Sequence, residues 1–155
     1  MKLGIILNDM SANQLAYYVI SNINKELKKG GKDDYVLFFE NASSVVLPPV
    51  CACMNSSEIW NFDGVLISTT VSNTMASINA VTPKKKYFYV WDLEWSRRNG
   101  NDFESLIGAY THPEISLISR GHDHKKAIEN YCNTKVKGTV SNFNIKELMG
   151  VINHE

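Results

Sequence analysis

Short apolar runs recur along the whole chain, and the segments between them repeat their apolar residues at helical spacing. That alternation constrains the fold more than any other feature. The runs are residues 3–7 (LGIIL), 35–39 (YVLFF), 50–54 (VCACM), 64–68 (GVLIS), 87–91 (YFYVW), 115–119 (ISLIS) and 136–140 (VKGTV). Most are continuous in apolar character rather than alternating, which is the pattern of strands covered on both faces. Between the first two runs, Leu15, Ala16, Val19, Ile20, Ile23 and Leu27 mark one face of a helix. Ser11 or Asp9 can cap its start, and Gly30-Gly31 stops it after Lys28 and Lys29 have complemented its negative end. Pro48-Pro49 cannot enter a central ladder, so strand structure there is confined to 50–54. A short turn capped by Ser56 or Ser57 then leads through Trp60. Further helices are predicted over 72–81, 103–110, 122–132 and 144–152. Pro83 closes the first of these; Asn101 or Asp102 caps the second, and His112-Pro113 ends it. The expected fold is one Rossmann-like α/β domain over 1–155, with a mainly parallel sheet and helices on both faces.

Sixteen basic and sixteen acidic residues leave the chain of 155 residues with zero formal charge. No global field draws in nucleic acid or an acidic membrane surface. The run Lys84-Lys85-Lys86 follows Pro83 and precedes a strand, so it reads as a solvated strand entrance. Cys51, Cys53 and Cys132 resemble no disulfide framework, which implies a reducing cytoplasm. Cys51 and Cys53 share a strand face, but no second Cys/His pair completes a metal site, and no metal is expected. No stretch approaches the roughly twenty apolar residues that span a bilayer, so no membrane association is expected.

In parallel sheets ligands bind beyond the carboxyl ends of the strands, where the strand order reverses. The first such outlet, NDMSANQ, has no glycine and cannot bring backbone against a pyrophosphate, and no phosphate-binding loop motif occurs elsewhere. No standard dinucleotide or ATP cofactor is expected. Asn8, Asp9, Ser11 and Asn13 either hydrogen-bond a sugar-like polyol or fold the helix start. The outlet WDLEW is the most suggestive of a site. Asp92 and Glu94 can act as acid or base, and Trp91 and Trp95 offer aromatic faces to a carbohydrate or cation; packing under a neighbouring loop would use the same letters. If the strand continued through it, the two carboxylates would share one face and the tryptophans the other. Ser119 and Arg120 can meet an anion at the start of the following helix. His122 and His124 lie about 200 degrees apart on that helix, which suits neither a shared metal nor a relay, and both are expected to be exposed.

The series GIILND, YFYVWDLEW, LISRGHDHKKAIENY and VKGTVSNFN resembles the N-terminal, acceptor-side half of a GT-B glycosyltransferase, of the retaining group found in some T4-like phages. Trp91-Asp92 matches the family's aromatic strand ending in a His-Asp or similar pair, Ser119 a later strand end, and Asn142-Phe143-Asn144 the turn at its interdomain linker. The resemblance implies a sugar or nucleotide-sugar ligand and catalysis in a cleft between two halves. The family's donor-binding half is absent from the sequence, so glycosyl transfer is expected to need a protein partner or a second copy in a homodimer. The rival expectations are a catalytically inert interaction protein, a phage accessory factor on the same fold, and a small-molecule enzyme using Asp92 or Glu94 as its base.

Overall fold

A computed structural model describes residues 1–97 and 102–154 of the chain. Among the described residues, strands β1 (Lys2–Asp9), β2 (Asp34–Asn41), β3 (Ala52–Asn55), β4 (Val65–Ser68), β5 (Lys85–Val90), β6 (Ile115–Ser119) and β7 (Val136–Thr139) are connected with five α-helices. These are α1 (Gln14–Lys28), α2 (Val71–Asn79), α3 (Phe103–Thr111), α4 (His122–Cys132) and α5 (Ile145–Asn153). The seven strands form one sheet in the order β3-β2-β1-β4-β5-β6-β7, and every neighbouring pair is parallel. This is the Rossmann-like α/β architecture that the alternation of runs implies.

The chain steps outward from β1 to β3, returns beside β1 at β4, and then steps the other way. Right-handed crossovers place helices on opposite faces for the two directions. Accordingly α1 and α5 cover one face, against Leu3, Ile5, Leu7, Tyr87 and Tyr89. On the other face α2, α3 and α4 meet Phe88, Val90 and Leu117. Over β1, β2 and β4 on that second face a 3-10 turn, Ser56–Asn61, brings Ile59 and Phe62 onto Ile6, Phe38 and Leu66. Gly4 makes this approach possible, because a Cβ there would stand 2.8 Å from the Phe38 ring and 2.9 Å from Phe62. The return to α5 is anchored by Tyr89, whose hydroxyl donates to the Val140 carbonyl at 2.8 Å and accepts from the Phe143 N–H at 3.2 Å.

The element ends correct several expected caps. Asn13, rather than Ser11 or Asp9, caps α1, with its Oδ1 accepting from the Ala16 N–H at 2.9 Å. Asp9 instead accepts from the Ser11 N–H at 2.8 Å and so closes the turn that delivers Asn13 to the cap position. Asn55, not Ser56 or Ser57, caps the 3-10 turn. Thr70 caps α2 in a reciprocal capping box with Asn73, which starts that helix one residue earlier than predicted. Asp102 flanks α3 without a capping bond; Asn101, the other expected cap, lies outside the described residues. Among the described residues no helix is long and apolar enough to cross a membrane.

Candidate ligand-binding site

The strand order reverses between β1 and β4, so their carboxyl ends should frame the ligand crevice of this sheet type. Here that crevice is tied shut. Asn8 Oδ1 accepts from the Thr70 hydroxyl at 3.1 Å and from Asn73 Nδ2 at 2.9 Å. The Thr69 hydroxyl donates to the Ile6 carbonyl at 2.7 Å, and Asn73 Oδ1 accepts from the Thr69 and Thr70 N–H groups at 2.9 and 3.0 Å. In place of glycines that let a ligand approach, the chain has side chains that satisfy each other across the gap.

The open part of the carboxyl edge lies one strand further on, around the end of β5. The strand stops at Val90, one residue before the predicted end, and Glu94–Arg97 turns into a short 3-10 segment. The alternation imagined for WDLEW is thereby broken, and the two tryptophans part. Trp91 packs partly buried on the α1 and α5 face. Trp95 goes to the opposite face, buried edge-on to Tyr110 at 4.9 Å and stacked on Tyr131 at 5.6 Å. Trp95 is thus a core residue, and the expectation that both rings flank one site is corrected.

Trp91 is the wall shared by two hollows. One, of about 310 Å³, lies between Thr69 and Thr70 at the end of β4 and Asp92, Glu94 and Arg97 after β5, with Leu15 at its side. The other, of about 420 Å³, lies between Gln14 and Tyr18 of α1, the segment from Arg120 to His124 after β6, and Asn142. The Arg120 guanidinium stands over the Trp91 ring at 4.9 Å, and the Tyr18 ring is 6.0 Å from it. A further hollow of about 430 Å³ lies at the amino edge beside Lys84, Lys85 and Lys86. There Lys86 is committed to the Glu114 carboxylate at 2.8 Å and the Ile78 carbonyl at 3.0 Å, and ligands of parallel sheets bind at the other end.

The carboxylates in the first hollow have different commitments. Glu94 accepts from the Val71 N–H at 2.8 Å, so it satisfies a free donor at the start of α2. Asp92 pairs with Arg97 at 2.6 Å, in a contact whose arginine is largely exposed. In the second hollow α4 begins at Gly121 without a side-chain cap, which leaves first-turn N–H groups for other acceptors. His122 is exposed as expected, but His124 is half-buried and its Nδ1 has no partner. Burial and then the Arg120 charge lower its pKa below the ordinary histidine value, against the opposing pull of the Val90 backbone, Asp92 and Asp123. The first turn of α4 rolls this ring back toward the end of β5, which spacing within the helix alone does not reveal.

The structure therefore brings Trp91, Asp92 and Glu94 to one hollow and Trp91 and Arg120 to the other. Asn8, Asp9, Ser11, Asn13, Trp95 and Ser119 line neither hollow. Asn8, Asp9 and Asn13 fold the first outlet, where the Ser11 hydroxyl and N–H hold the Asp9 carboxyl below the usual carboxylate range. Ser119 is buried, bonding Thr139 Oγ1 at 3.2 Å and the Gly138 carbonyl at 3.4 Å. Thr69, Thr70 and Asn142 lie at strand outlets that the alternation locates, and the lining residues that sequence reasoning missed are Gln14, Tyr18 and Arg97. Of these, Gln14 and Tyr18 carry a signal, being four apart and hence stacked on one face of the first turn of α1. Among the described residues no three His, Cys, Asp or Glu side chains gather in a group that could hold a metal. No protein-family model matches the chain, and no curated protein matches it.

Proposed function

We propose that this domain binds a sugar-like or nucleotide-like ligand across the two hollows, with the Trp91 ring as the platform between them. The observation that carries the reading is the junction of two chemically different hollows at one aromatic ring. On one side, the carboxylates of Asp92 and Glu94 suit the hydroxyl groups of a sugar. On the other, Arg120 and the uncapped start of α4 suit an anionic group, and Tyr18 adds a second aromatic face.

The resemblance to acceptor-side glycosyltransferase halves extends the reading to glycosyl transfer. In that chemistry a base relieves the acceptor hydroxyl of its proton as the new glycosidic bond forms. Asp92 suits that role better than Glu94, because its partner Arg97 sits in solvent whereas Glu94 holds the start of α2. Glu94 then acts as a positioning residue for Thr69 and Thr70. The nucleotide-sugar donor would be held by a second body facing this edge, whether another domain or a partner chain.

A thermal-shift panel of nucleotide-sugars, nucleotides and free sugars tests the proposal. A true ligand at a hundred times its dissociation constant stabilises the fold by about 2.7 kcal/mol. Trp91→Ala and Arg120→Ala should remove that shift while leaving a cooperative melt. The proposal fails if no compound in the three classes shifts the melt, or if both variants keep the shift.

A further inference from the structure

The hollow bounded by Tyr18, Trp91 and Arg120 holds an imbalance of charge. The Arg120 guanidinium stands over the Trp91 ring at 4.9 Å, and among the described residues no carboxylate comes within ion-pair distance of it. His124 lines the same hollow, half-buried, with its Nδ1 shut off from solvent and without a partner. The groups facing this ring come from three places: Arg120 after β6, the Val90 backbone and Asp92 at the end of β5, and Asp123 in its own turn of α4, beside the exposed His122. Gln14, Tyr18 and Asn142, the remaining walls, carry no charge near neutral pH. Asp92 and Asp123 favour a protonated ring, but Asp92 is engaged by Arg97 at 2.6 Å and Asp123 is exposed. Burial and the guanidinium therefore prevail, and they hold the ring neutral near neutral pH.

We propose that this hollow takes the dianionic phosphoryl group of a phosphomonoester, and that His124 is the residue that fits it to two negative charges rather than one. The assignment rests on the ligand reading of the two hollows and narrows it to a phosphorylated sugar or nucleotide. A monoanion is matched by Arg120 alone. A dianion lying between Arg120 and His124 offsets the repulsion between the two cations and draws a proton onto the ring, so binding takes up a proton near neutral pH. In this role His124 makes and breaks no bond; it supplies a charge beside the ligand. Because the dianion favours the protonated ring, affinity rises as pH falls and levels off once the ligand-free protein is itself protonated.

Sulfate is the probe, because it stays dianionic across this pH range and carries neither sugar nor base; methanesulfonate is its monoanionic counterpart. Titrations of the full chain at constant ionic strength, followed at the amides of residues 120–124, should give sulfate binding roughly tenfold tighter at about pH 5.5 than at about pH 7.5. Methanesulfonate should change by less than about twofold over the same range. The His124 ring resonance should titrate at higher pH with sulfate bound than without it. His124→Gln should abolish the pH dependence and leave weak sulfate binding through Arg120, with circular dichroism melts to check its fold; the wild-type ring titration decides the matter if that variant does not fold. His154→Gln, exposed and outside the hollow, should change nothing. A sugar phosphate and a nucleoside monophosphate, titrated in turn, tell which body carries the phosphoryl group, and the same pH response in either supports the assignment. Sulfate binding that ignores pH, that methanesulfonate copies, or that keeps its pH dependence in His124→Gln overturns the proposal, while the ligand reading still stands or falls on its thermal-shift panel. No sulfate response at any pH overturns it as well.

Discussion

The outlets of β1 and β5 carry similar polar letters and do opposite things. At the first, Asn8, Thr69, Thr70 and Asn73 are spent on one another and on backbone groups, and the crevice at the reversal of strand order is closed. At the second, Trp91 presents a ring, Asp92 pairs with a largely exposed arginine, and α4 starts without a side-chain cap. The difference teaches that a polar strand outlet becomes a site only where its side chains exceed the backbone groups they must satisfy. Leaving a buried amide unpaired costs more than the net gain from pairing it, so the inner outlet turns inward and the outer one stays open.

The hardest blow to the closed outlet is Asn73→Ala. It strips the acceptor from the buried Thr69 N–H and the partly buried Thr70 N–H and the main donor from Asn8, and it should cost about 3 kcal/mol in a urea unfolding curve while ligand binding at Trp91 persists. Unchanged stability would show that the crevice is not tied shut by these bonds. Next in size is Tyr89→Phe, which leaves the Val140 carbonyl and the Phe143 N–H without their shared partner and should cost about 1–2 kcal/mol at neutral pH. It also has a pH signature. Burial pushes the Tyr89 phenol up to about 12 from an ordinary value of 10.0. The folded state therefore keeps its proton longer than the unfolded chain, so the contribution is complete below pH 10 and is lost as pH rises through 12. Wild type should lose stability across that window more steeply than Tyr89→Phe; the buried Tyr35, also raised to about 12, is common to both and cancels.

Glu94→Ala should cost about 1 kcal/mol by freeing the Val71 N–H, and Glu94→Gln should restore most of it, because an amide oxygen still accepts that bond. A Gln variant as unstable as the Ala variant would point to a need for the charge itself. Arg120→Ala should have the smallest effect on stability, under about 0.5 kcal/mol for an exposed side chain, and a large one on binding. If it destabilises the fold as much as Glu94→Ala, the open outlet is structural too.

Much of the fold was legible because both faces of the sheet are covered: short apolar runs such as LGIIL and YVLFF, bounded by polar residues, suit buried parallel strands. Helix starts were less legible. Asn13, Asn55 and Thr70 were each one of several neighbouring residues able to cap, and at α1 it is the turn made by Asp9 and Ser11 that selects Asn13. The site was legible in part, since Trp91, Asp92, Glu94 and Arg120 sit at strand ends that alternation locates. Trp95 was not, because one residue of strand lost at Val90 sends it to the other face. His124 was not, because its burial comes from the end of β5, which is distant in sequence.

A nuclear magnetic resonance titration of the labelled protein with a nucleotide-sugar tests the central contrast between the two outlets most directly. The Trp91 indole N–H and the amides of residues 120–124 should shift in a saturable way, while the side-chain amides of Asn8 and Asn73 stay where they are. Shifts centred on the side-chain amides of Asn8 and Asn73, or none at any residue, would contradict the account.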